Sequence, residues 1–451
     1  MTESLNFSAI ILAAGKGTRM KSDIPKVLHK VAGLEMIFHV INAAQSAGVS
    51  HTTIVTSPIQ VDLRDNILAK ASDYNLTMAV QEQQLGTGDA VKAALPLAGN
   101  PDKVLILFGD TPLMRPDVLQ QMVGDSSDIT LLGFMTDTPD GYGRIICEDG
   151  KPIAIIEHKD ADEETRHIKL CNGGALAVNA TLLPDLLNGL ENNNAQSEYY
   201  LPDIVRLAHA QNISIGLVVC QQADTLGVET KTGLAKAAAL MQNRLRQKHL
   251  DNGVSMTAPE TVYFSYDTQI GPDSSIEPHC IFGVEVKIAS EVTIKGFSHL
   301  EGVLAETGVQ IGPYARLRQG TRLGAGAKIG NFVETKKAQI MEDAKVNHLS
   351  YIGDAYIGEG ANIGAGTITC NYDGYDKHLT EIGAGALIGS NSSLIAPVKI
   401  GDGAYIGSSS SISGEIEAES LALTRAPLKE IEGWSVKFRM KKTKTDEAKD
   451  K

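Results

Sequence analysis

The sequence lacks several features on which common protein classes depend. Of its 451 residues only five are cysteines, and none stands in a C-x-x-C motif or at the spacing of Cys/His zinc ligands. The sequence therefore predicts neither a disulfide framework nor a zinc site. No apolar run reaches the roughly eighteen residues of a transmembrane helix, and no charged leader precedes an apolar stretch. We expect a soluble, cytoplasmic protein without membrane insertion.

Positive charge is also in short supply. The chain has 54 acidic residues against 41 lysines and arginines, a formal net charge of -13 at pH 7. Such an acidic surface repels phosphate backbones, so the composition predicts no nucleic-acid partner. Any anionic ligand must then be held by basic residues placed locally. The one clearly basic run, residues 437–444, is predicted to be a solvated and frayed end.

What the C-terminal half has in abundance is a six-residue repeat. From Ile382 to Ile412 an aliphatic residue returns at every sixth position, and the same period can be followed back to Ile270. A period of six fits neither an α-helix nor a single strand. It predicts short strands joined by tight corners, three to a triangular coil, with stacked coils burying one aliphatic column. The period breaks near residues 303–309, 335–340, 356 and 369–380, where we expect loops.

This repeat resembles that of the hexapeptide acyltransferases, which fold as a left-handed parallel β-helix. The left hand comes from the resemblance, because the usual crossover rule favours the right hand. The alternative is a β-sandwich with Gly-rich turns. Strands and turns of a sandwich recur about every 8–12 residues and would not hold a six-residue phase over this length.

The N-terminal half alternates apolar runs with helical patterns at residues 36–47, 61–71 and 89–95. Buried apolar strands separated by helices indicate a mostly parallel, Rossmann-like sheet covered on both faces. Ligands of such sheets bind beyond the carboxyl ends of the strands, so the segments that follow the strands are the candidate sites. The predicted strands are residues 7–12, 52–56, 76–80, 104–108 and 129–134.

The first strand runs into a turn of small and basic residues, LAAGKGTRM at residues 12–20, and PK follows five residues later. Small residues let backbone N–H groups approach a phosphate, while Lys16, Arg19 and Lys26 supply positive charge. The run is not a Walker loop, and Met20 replaces the third glycine of a dinucleotide fingerprint. The whole string resembles the signature of nucleoside-triphosphate sugar-1-phosphate nucleotidyltransferases.

That resemblance implies a uridylyl-transfer site with a magnesium ion. Asp110 follows a predicted strand and is implied to hold Mg²⁺ on the triphosphate, although an aspartate there can also be a plain helix cap. The family carries Gly-Val-Asn, with asparagine as second ligand, where this chain has Glu229; glutamate is also a hard oxygen ligand. The implied nucleotide- and sugar-binding residues are Leu12, Ala13, Ala14, Gly15, Arg19, Lys26, Gln81, Gly86, Thr87, Gly143, Glu157 and Asn172.

The breaks in the hexapeptide repeat carry a second set of candidate residues, centred on His348. A lone histidine is more often structural than catalytic, but this one is accompanied by Arg318 and Lys336. Two cations suit a sugar phosphate, and a neutral imidazole can take the proton that an attacking amine must lose. The breaks therefore predict a second site, for a sugar phosphate with an attacking amine, in which His348 is the general base.

Taken together, the two halves resemble the bacterial bifunctional N-acetylglucosamine-1-phosphate uridyltransferases / glucosamine-1-phosphate acetyltransferases. The resemblance implies acetylation of glucosamine 1-phosphate by acetyl-CoA, then coupling of N-acetylglucosamine 1-phosphate to UTP, in a homotrimer with shared sites. The implied sugar-phosphate residues are Arg318, Lys336, Tyr351 and Asn362. The implied acetyl-CoA residues are Ala365, Asn371, Tyr372, Ser390, Ser408 (alanine in the family) and Arg425.

We therefore predict an α/β Rossmann-like nucleotidyltransferase domain followed by a left-handed parallel β-helix. The predicted boundaries are residues 1–230 for the first domain, 231–252 for a helical linker and 253–451 for the β-helix. Two alternatives remain: a sugar-1-phosphate nucleotidyltransferase with a purely structural β-helix, and a non-enzymatic trimerising scaffold. The set Arg318, Lys336, His348 and Asn371 argues against both, because a scaffold has no need to interrupt its coils with these side chains.

Overall fold

A computed structural model describes residues 6–70 and 74–447, with side chains up to residue 441 in the last helix. Ala71, the end of one predicted helix, lies outside the described residues. The chain divides into two compact units, residues 1–248 with 264–266 and residues 249–263 with 267–451. The predicted boundaries at residues 230 and 253 remain a prediction.

The first unit is built around one twisted sheet. Its main strands are β1 (Phe7–Leu12), β2 (His51–Thr56), β3 (Leu76–Val80), β4 (Lys103–Phe108), β5 (Ile129–Met135), β6 (Leu170–Asn179) and β7 (Ile215–Cys220). Their order across the sheet is β7-β5-β6-β4-β1-β2-β3. Neighbours are parallel except at β6, which is antiparallel to both β4 and β5. The expected mostly parallel sheet is thus a mixed one.

Alternation along the strands explains why both faces of this sheet are buried. In β1, Ile10 and Leu12 belong to one apolar cluster, while Ala9 and Ile11 belong to the cluster on the opposite face. Helices cover the two faces, so these strands read as continuous apolar runs. The helices of this part are Met36–Ser46, Val61–Lys70, Thr87–Ala94, Pro116–Gly124, Glu163–Arg166, Leu183–Asn188 and Asp203–Ala210.

Two antiparallel hairpins complete the first unit, Lys30–Val31 with Leu34–Glu35 and Arg144–Glu148 with Lys151–Ile156. Arg144 is completely buried, and its guanidinium donates to the backbone oxygens of Tyr142 and Arg166. This arginine, which follows the predicted sugar residue Gly143, therefore stabilises the loop from behind.

The long helix Lys231–Asp251 follows. Thr230 caps its first turn, because the Thr230 hydroxyl accepts a hydrogen bond of 3.1 Å from the N–H of Gly233. Further along, the Gln242 amide exchanges two hydrogen bonds with the Phe264 backbone, of 2.7 and 2.8 Å. The helix is thereby held to the short segment 264–266.

The second unit is a left-handed parallel β-helix: the repeat predicts its triangular coils, and the resemblance predicts its hand. Ile276, Ile294 and Ile311 pair in register and are buried, so the six-residue positions form the core. The strands of the first face are Ser255–Met256, Ser275–Ile276, Thr293–Ile294, Gln310–Ile311, Lys328–Asn331, Lys345–His348, Asn362–Ile363, Leu387–Ile388, Tyr405–Ile406 and Leu421–Ala422.

The other two faces share strands that turn a corner without a break. The shared strands are Glu334–Ile340, Tyr351–Ile357, Ser393–Ile400 and Ser411–Ile416. The remaining strands are Gln269–Ile270, Ile281–Phe282, Lys287–Ile288, His299–Leu300, Val303–Ala305, Arg316–Leu317, Thr321–Leu323, Ile368–Cys370 and Thr380–Ile382.

These strands correct most of the expected loops. Residues 303–305, 335–340 and 356 lie in strands, so the predictions of loops there were wrong. The period breaks because some coils are one residue shorter than others. Ile340 pairs with Ile357, seventeen residues on, whereas Ala305 pairs with Leu323, eighteen residues on. Residues 306–309 do lie between strands, and the break at 369–380 contains a longer loop, residues 371–379.

One corner of the β-helix carries a ladder of rings. His279, Phe297, Tyr314 and Phe332 occupy it in successive coils, all with positive φ between 56° and 62°. Their ring centroids are 4.8, 5.0 and 5.2 Å apart, which is stacking distance. Leu349, next to His348, continues the positive-φ series in the following coil. The predicted catalytic residue thus lies where this ladder ends.

The basic tail differs from its prediction as a frayed end. Residues 437–444 lie in the helix Trp434–Glu447, where Trp434 and Phe438 stack with centroids 5.0 Å apart. Within residues 6–70 and 74–447, no helix combines the length and the apolar character needed to cross a membrane.

Two candidate active sites

The Gly-rich turn after β1 places cations at the edge of the sheet. Leu12, Ala13 and Ala14 are buried, and the turn continues into a 3₁₀ helix, Thr18–Met20. Met20 is buried in the same apolar cluster as Val228. Arg19, between the turn and this anchor, is exposed.

Two ion pairs bring the predicted cations and metal ligands together. Lys26 pairs with Asp110, and Arg19 pairs with Glu229, with Arg19 Nη2 2.5 Å from Glu229 Oε1. The backbones of the two carboxylate segments also meet, because the N–H of Val228 donates to the carbonyl of Asp110 at 2.9 Å. Asp110 and Glu229 therefore lie on one cavity of about 300 Å³.

This cavity fits a magnesium ion that keeps other ligands. In the described part of the chain, no group of three His, Cys, Asp or Glu side chains is arranged to hold a metal on its own. Mg²⁺ is usually bound by one or two carboxylates, with waters and substrate phosphates as the other ligands. Asp110 and Glu229 are two carboxylates of this kind, and Lys26 and Arg19 lie beside them as ion-pair partners.

The turn after β3 is locked from behind. Gln81 is buried, and its amide nitrogen donates to the carbonyl of Gly86 at 2.9 Å and to Asp89 at 2.7 Å. Gly86 has φ of 118°, and a β-carbon there would lie 2.7 Å from the Tyr199 carbonyl oxygen. The Thr87 hydroxyl accepts from the N–H of Leu201 at 2.9 Å. Because the side-chain nitrogen of Gln81 is engaged in these contacts, its side-chain oxygen Oε1 is the acceptor available to a ligand.

Three residues predicted to hold the sugar lie together in the first unit. The N–H of Asn172 donates to the Gly143 carbonyl at 2.8 Å, and a β-carbon at Gly143 would lie 3.0 Å from Glu157 Oε1. Glu157 and Asn172 line a cavity of about 600 Å³. Burial raises the pKa of Glu157, and the nearby carboxylates of Asp160 and Asp203 raise it further.

Sequence reasoning missed one wall of this cavity, the segment that carries Glu198 and Tyr200. Burial, followed by the charges of Asp160 and Glu198, raises the pKa of Tyr200 to about 12, so its phenol stays protonated. The signal was the pair Tyr199-Tyr200 in a chain with only 5% aromatic residues. Of this pair, Tyr200 lines the cavity and Tyr199 packs against the core of the sheet.

In the second unit, one column connects four residues of the predicted acetyl-transfer site, His348, Ala365, Ser390 and Ser408. Asn331 and His348 are register partners on neighbouring coils. The pairing of Ile363, Ile388 and Ile406 places the residues two positions further on, Ala365, Ser390 and Ser408, in the same column. We call these five residues the catalytic column. Arg425 lies near its far end, 3.6 Å from where a β-carbon of Gly407 would be.

The imidazole of His348 is held by the residue below it. Its Nδ1 lies 2.8 Å from Oδ1 of Asn331. An amide oxygen only accepts, so Nδ1 carries the proton and the lone pair of Nε2 is free. The side chain is otherwise exposed, as a general base for a bound amine must be.

Basic residues gather on the adjoining face. Arg318 pairs with Glu334 at 2.8 Å, and Glu334 is the register partner of Tyr351. Lys377, which the sequence reasoning did not select, lies close enough to Lys336 to hold its pKa below the ordinary value, and Arg318 adds to this effect. These three cations form a patch that suits a phosphate group.

The predicted residues Asn362, Asn371 and Tyr372 lie neither in the catalytic column nor in this cationic patch. Asn362 stands at the start of its strand, three residues before Ala365. Asn371 is buried and donates to Asp354 Oδ2 at 2.5 Å, while the hydroxyl of Tyr372 donates to the carbonyl of Gly374 at 2.6 Å. Asn371 and Tyr372 belong to the loop that carries Lys377.

The chain matches two known domain families. Residues 9–166 match the MobA-like NTP transferase domain, and residues 379–414 match the bacterial transferase hexapeptide (six repeats). The chain is thus a transferase with a nucleotidyltransferase domain followed by a hexapeptide-repeat acetyltransferase domain.

Relatives that match this chain along nearly their whole length identify its family within the transferases. The chain is 47% identical over 436 residues to the bifunctional protein GlmU of Azorhizobium caulinodans, covering 95% of this chain and 96% of the relative. It is 51% identical over 437 residues to that of Parvibaculum lavamentivorans, covering 96% of each. It is 46% identical over 451 residues to that of Zymomonas mobilis, covering 98% and 100%. The chain belongs to the family of bifunctional GlmU proteins, and the predicted family and fold class are confirmed.

Proposed function

We propose that the chain transfers the acetyl group of acetyl-CoA to the amine of glucosamine 1-phosphate and then couples N-acetylglucosamine 1-phosphate to UTP. The products are UDP-N-acetylglucosamine, a precursor for peptidoglycan and lipopolysaccharide, and pyrophosphate. The observation that carries this proposal is the His348–Asn331 pair beside a cationic patch in one unit, together with paired cations and carboxylates in the other. The substrates place the enzyme in the cytoplasm.

In the acetyl transfer, the 2-amine nitrogen of glucosamine 1-phosphate attacks the thioester carbonyl, and Nε2 of His348 takes a proton from that nitrogen. A backbone N–H near Ala365 stabilises the oxyanion, and the coenzyme A thiolate leaves. Arg318, Lys336 and Lys377 hold the phosphate. Tyr351 and Asn362 complete the sugar-phosphate site, whereas Asn371, Tyr372, Ser390, Ser408 and Arg425 contact acetyl-CoA.

In the uridylyl transfer, a phosphate oxygen of N-acetylglucosamine 1-phosphate attacks the α-phosphorus of UTP and pyrophosphate leaves. No protein nucleophile is needed, because positioning and charge neutralisation supply the catalysis. Asp110 and Glu229 would hold Mg²⁺, which would supply charge neutralisation on the triphosphate. Arg19 and Lys26 then exchange their carboxylate partners for phosphate oxygens.

The remaining residues of the first site select the base and the sugar. The free carbonyl oxygen of Gln81 accepts a hydrogen bond from the uracil, whose ring packs against Gly86 and Thr87. Glu157 and Asn172 hydrogen-bond the sugar hydroxyls and acetamide, and Gly143 leaves room for them. The backbone of residues 12–15 faces the phosphates.

Two assays on the purified full-length protein test this function. One measures coenzyme A release from acetyl-CoA and glucosamine 1-phosphate, and the other measures pyrophosphate release from UTP and N-acetylglucosamine 1-phosphate. We expect both activities. Pyrophosphate release alone would favour a nucleotidyltransferase with a structural β-helix, and neither activity would favour a scaffold.

A further inference from the structure

The loop at residues 371–379 folds back on itself as a small hairpin. The N–H of His378 donates to the carbonyl of Asn371 at 2.8 Å, and the N–H of Asp373 donates to that of Asp376 at 3.2 Å. Tyr372 and Lys377 form an antiparallel bridge between the two arms. The conformation of the loop therefore determines where Lys377 lies.

The carboxylate of Asp373 is the centre of this hairpin. Its Oδ1 accepts from the N–H groups of Tyr375 and Asp376 at 2.8 Å each, and its Oδ2 accepts from Nε2 of His378 at 2.7 Å. The bond from His378 is the main cause that holds the pKa of Asp373 well below its usual range. Both carboxylate oxygens are thus engaged inside the loop.

Lys377 stands in an unfavourable electrostatic position. It is the main charge acting on Lys336, and Arg318 is the next. Arg318 is balanced by Glu334, but no carboxylate of the described residues forms an ion pair with Lys336 or Lys377. Like charges repel, so an unrestrained loop would carry Lys377 away from Lys336. The internal bonds of the hairpin oppose that movement.

We propose that the contact between Asp373 and His378 is a clasp that holds Lys377 against Lys336 and so completes the anion site for the sugar phosphate. His378 is then a positioning residue, because it acts through Lys377 and does not touch the substrate. This inference rests on the proposed acetylation of glucosamine 1-phosphate.

Four variants test the clasp in the full-length protein. His378→Leu removes the donor to Asp373, and His378→Gln keeps an N–H at the place of Nε2. Lys377→Ala removes the positioned cation itself. Tyr375→Ala is the matched control in the same loop, since the Tyr375 side chain is 93% exposed. Coenzyme A release is measured against both substrates, and glucosamine 1-phosphate binding is measured by calorimetry without acetyl-CoA.

We expect His378→Leu to raise the KM and Kd for glucosamine 1-phosphate about 3- to 10-fold, the loss typical of one hydrogen bond. The KM for acetyl-CoA and kcat should change less than about twofold, and His378→Gln should restore most of the affinity. In the Lys377→Ala background, His378→Leu should have no further effect, because both changes remove the same contact.

Unchanged sugar-phosphate affinity in His378→Leu, or an effect that adds fully to that of Lys377→Ala, would overturn the clasp. A variant whose kcat falls and whose KM rises to the same extent for both substrates would show a merely structural role for His378. That result would also overturn the clasp. The wild-type protein separates the two proposals: if it releases no coenzyme A with glucosamine 1-phosphate, the proposed function fails, whereas a fully active His378→Leu variant rejects only the clasp.

Discussion

Asn331 and His348 face each other on neighbouring coils, with Asn331 Oδ1 2.8 Å from His348 Nδ1. The strand register brings them together although seventeen residues separate them in the chain. The contact fixes the ring tautomer, which leaves Nε2 as the only nitrogen able to accept a proton.

Changing Asn331 to aspartate should therefore alter the pH profile of acetyl transfer. A carboxylate at this place favours the protonated imidazole, so the acid limb of the kcat/KM profile should move upward by about one pH unit. Asn331→Leu should lower kcat without that movement. A slower Asn331→Asp variant with an unmoved acid limb would show that Asn331 only packs against the ring.

Replacing His348 with alanine should abolish most acetyl transfer, by roughly 10²- to 10⁴-fold, the effect typical of losing a positioned acid–base group. Pyrophosphate release should be unaffected, because the uridylyl-site residues lie in the other unit. Raising the pH should partly rescue the variant as free amine accumulates. Full acetyl transfer by His348→Ala would show that His348 is a structural residue and not the general base.

Glu229→Ala should raise the magnesium concentration needed for uridylyl transfer and leave acetyl transfer alone. The reason is that Glu229 shares a cavity with Asp110 and is one of the three carboxylates that line it, with Glu198 as the third. Glu229→Asn, which restores the residue type of the family, is the matched control and should keep a near-wild-type magnesium titration of pyrophosphate release. If Glu229→Ala shows an unchanged titration, Glu229 is not a ligand.

Glu157 should give the protein a pH-dependent stability. Its pKa in the folded state is raised above the ordinary 4.5 by burial and then by Asp160 and Asp203. Between that ordinary value and the raised one, the folded state binds more protons than the unfolded state, so stability falls as pH rises through this window. Glu157→Gln should remove this loss.

Thermal unfolding of both proteins between pH 4 and 8 measures the effect of Glu157→Gln. The variant should gain Tm relative to wild type as pH rises, while uridylyl transfer declines because a sugar partner is altered. Glu148→Gln, at an exposed position, is the control and should show no such gain. A Tm difference independent of pH would contradict the prediction.

The protein should sediment as a homotrimer. His348, Ser390, Ser408 and Arg425 are all exposed on a single chain, so one chain does not enclose the proposed acetyl-transfer site. Neighbouring subunits would close it. Analytical ultracentrifugation at assay concentrations checks the assembly, and a fully active monomer would refute it.

Local patterns predicted much of this fold. The strands that begin near Phe7 and Ile129 were found because each is an apolar run buried on both faces. Strand Leu76–Val80 was found from its apolar run, although it lies at the sheet edge with only Ala79 buried. Strand Leu170–Asn179 was not identified, since Gly173 and Gly174 interrupt its apolar run. This strand lies antiparallel between its two neighbours because of the pairing of the whole sheet, and no local sequence pattern indicates that direction.

The candidate sites likewise combine residues that sequence reasoning identified with residues that it missed. Resemblance selected His348, Lys336 and Glu157, but not the residues that hold or adjust them, such as Asn331 and Lys377. Asn331 becomes recognisable only when the coil length is known, because coils of seventeen and eighteen residues put different residues above one another. The position of Lys377 depends on a loop that is closed by side-chain hydrogen bonds, such as the one between His378 and Asp373. No sequence period signals such contacts.

Under the proposed function, the catalytic column also sets the distance that the acyl arm of acetyl-CoA must span. Neighbouring parallel strands lie about 4.8 Å apart, so the three coil steps from His348 through Ala365 and Ser390 to Ser408 span roughly 14 Å. Inserting one whole coil between Ala365 and Ser390 would leave the aliphatic core intact but move the far end of the column by about 5 Å. A thioester on an arm of fixed length would then stop short of the base. The number of coils between the base and the far end of the column thus sets the length of acyl carrier that the site accepts.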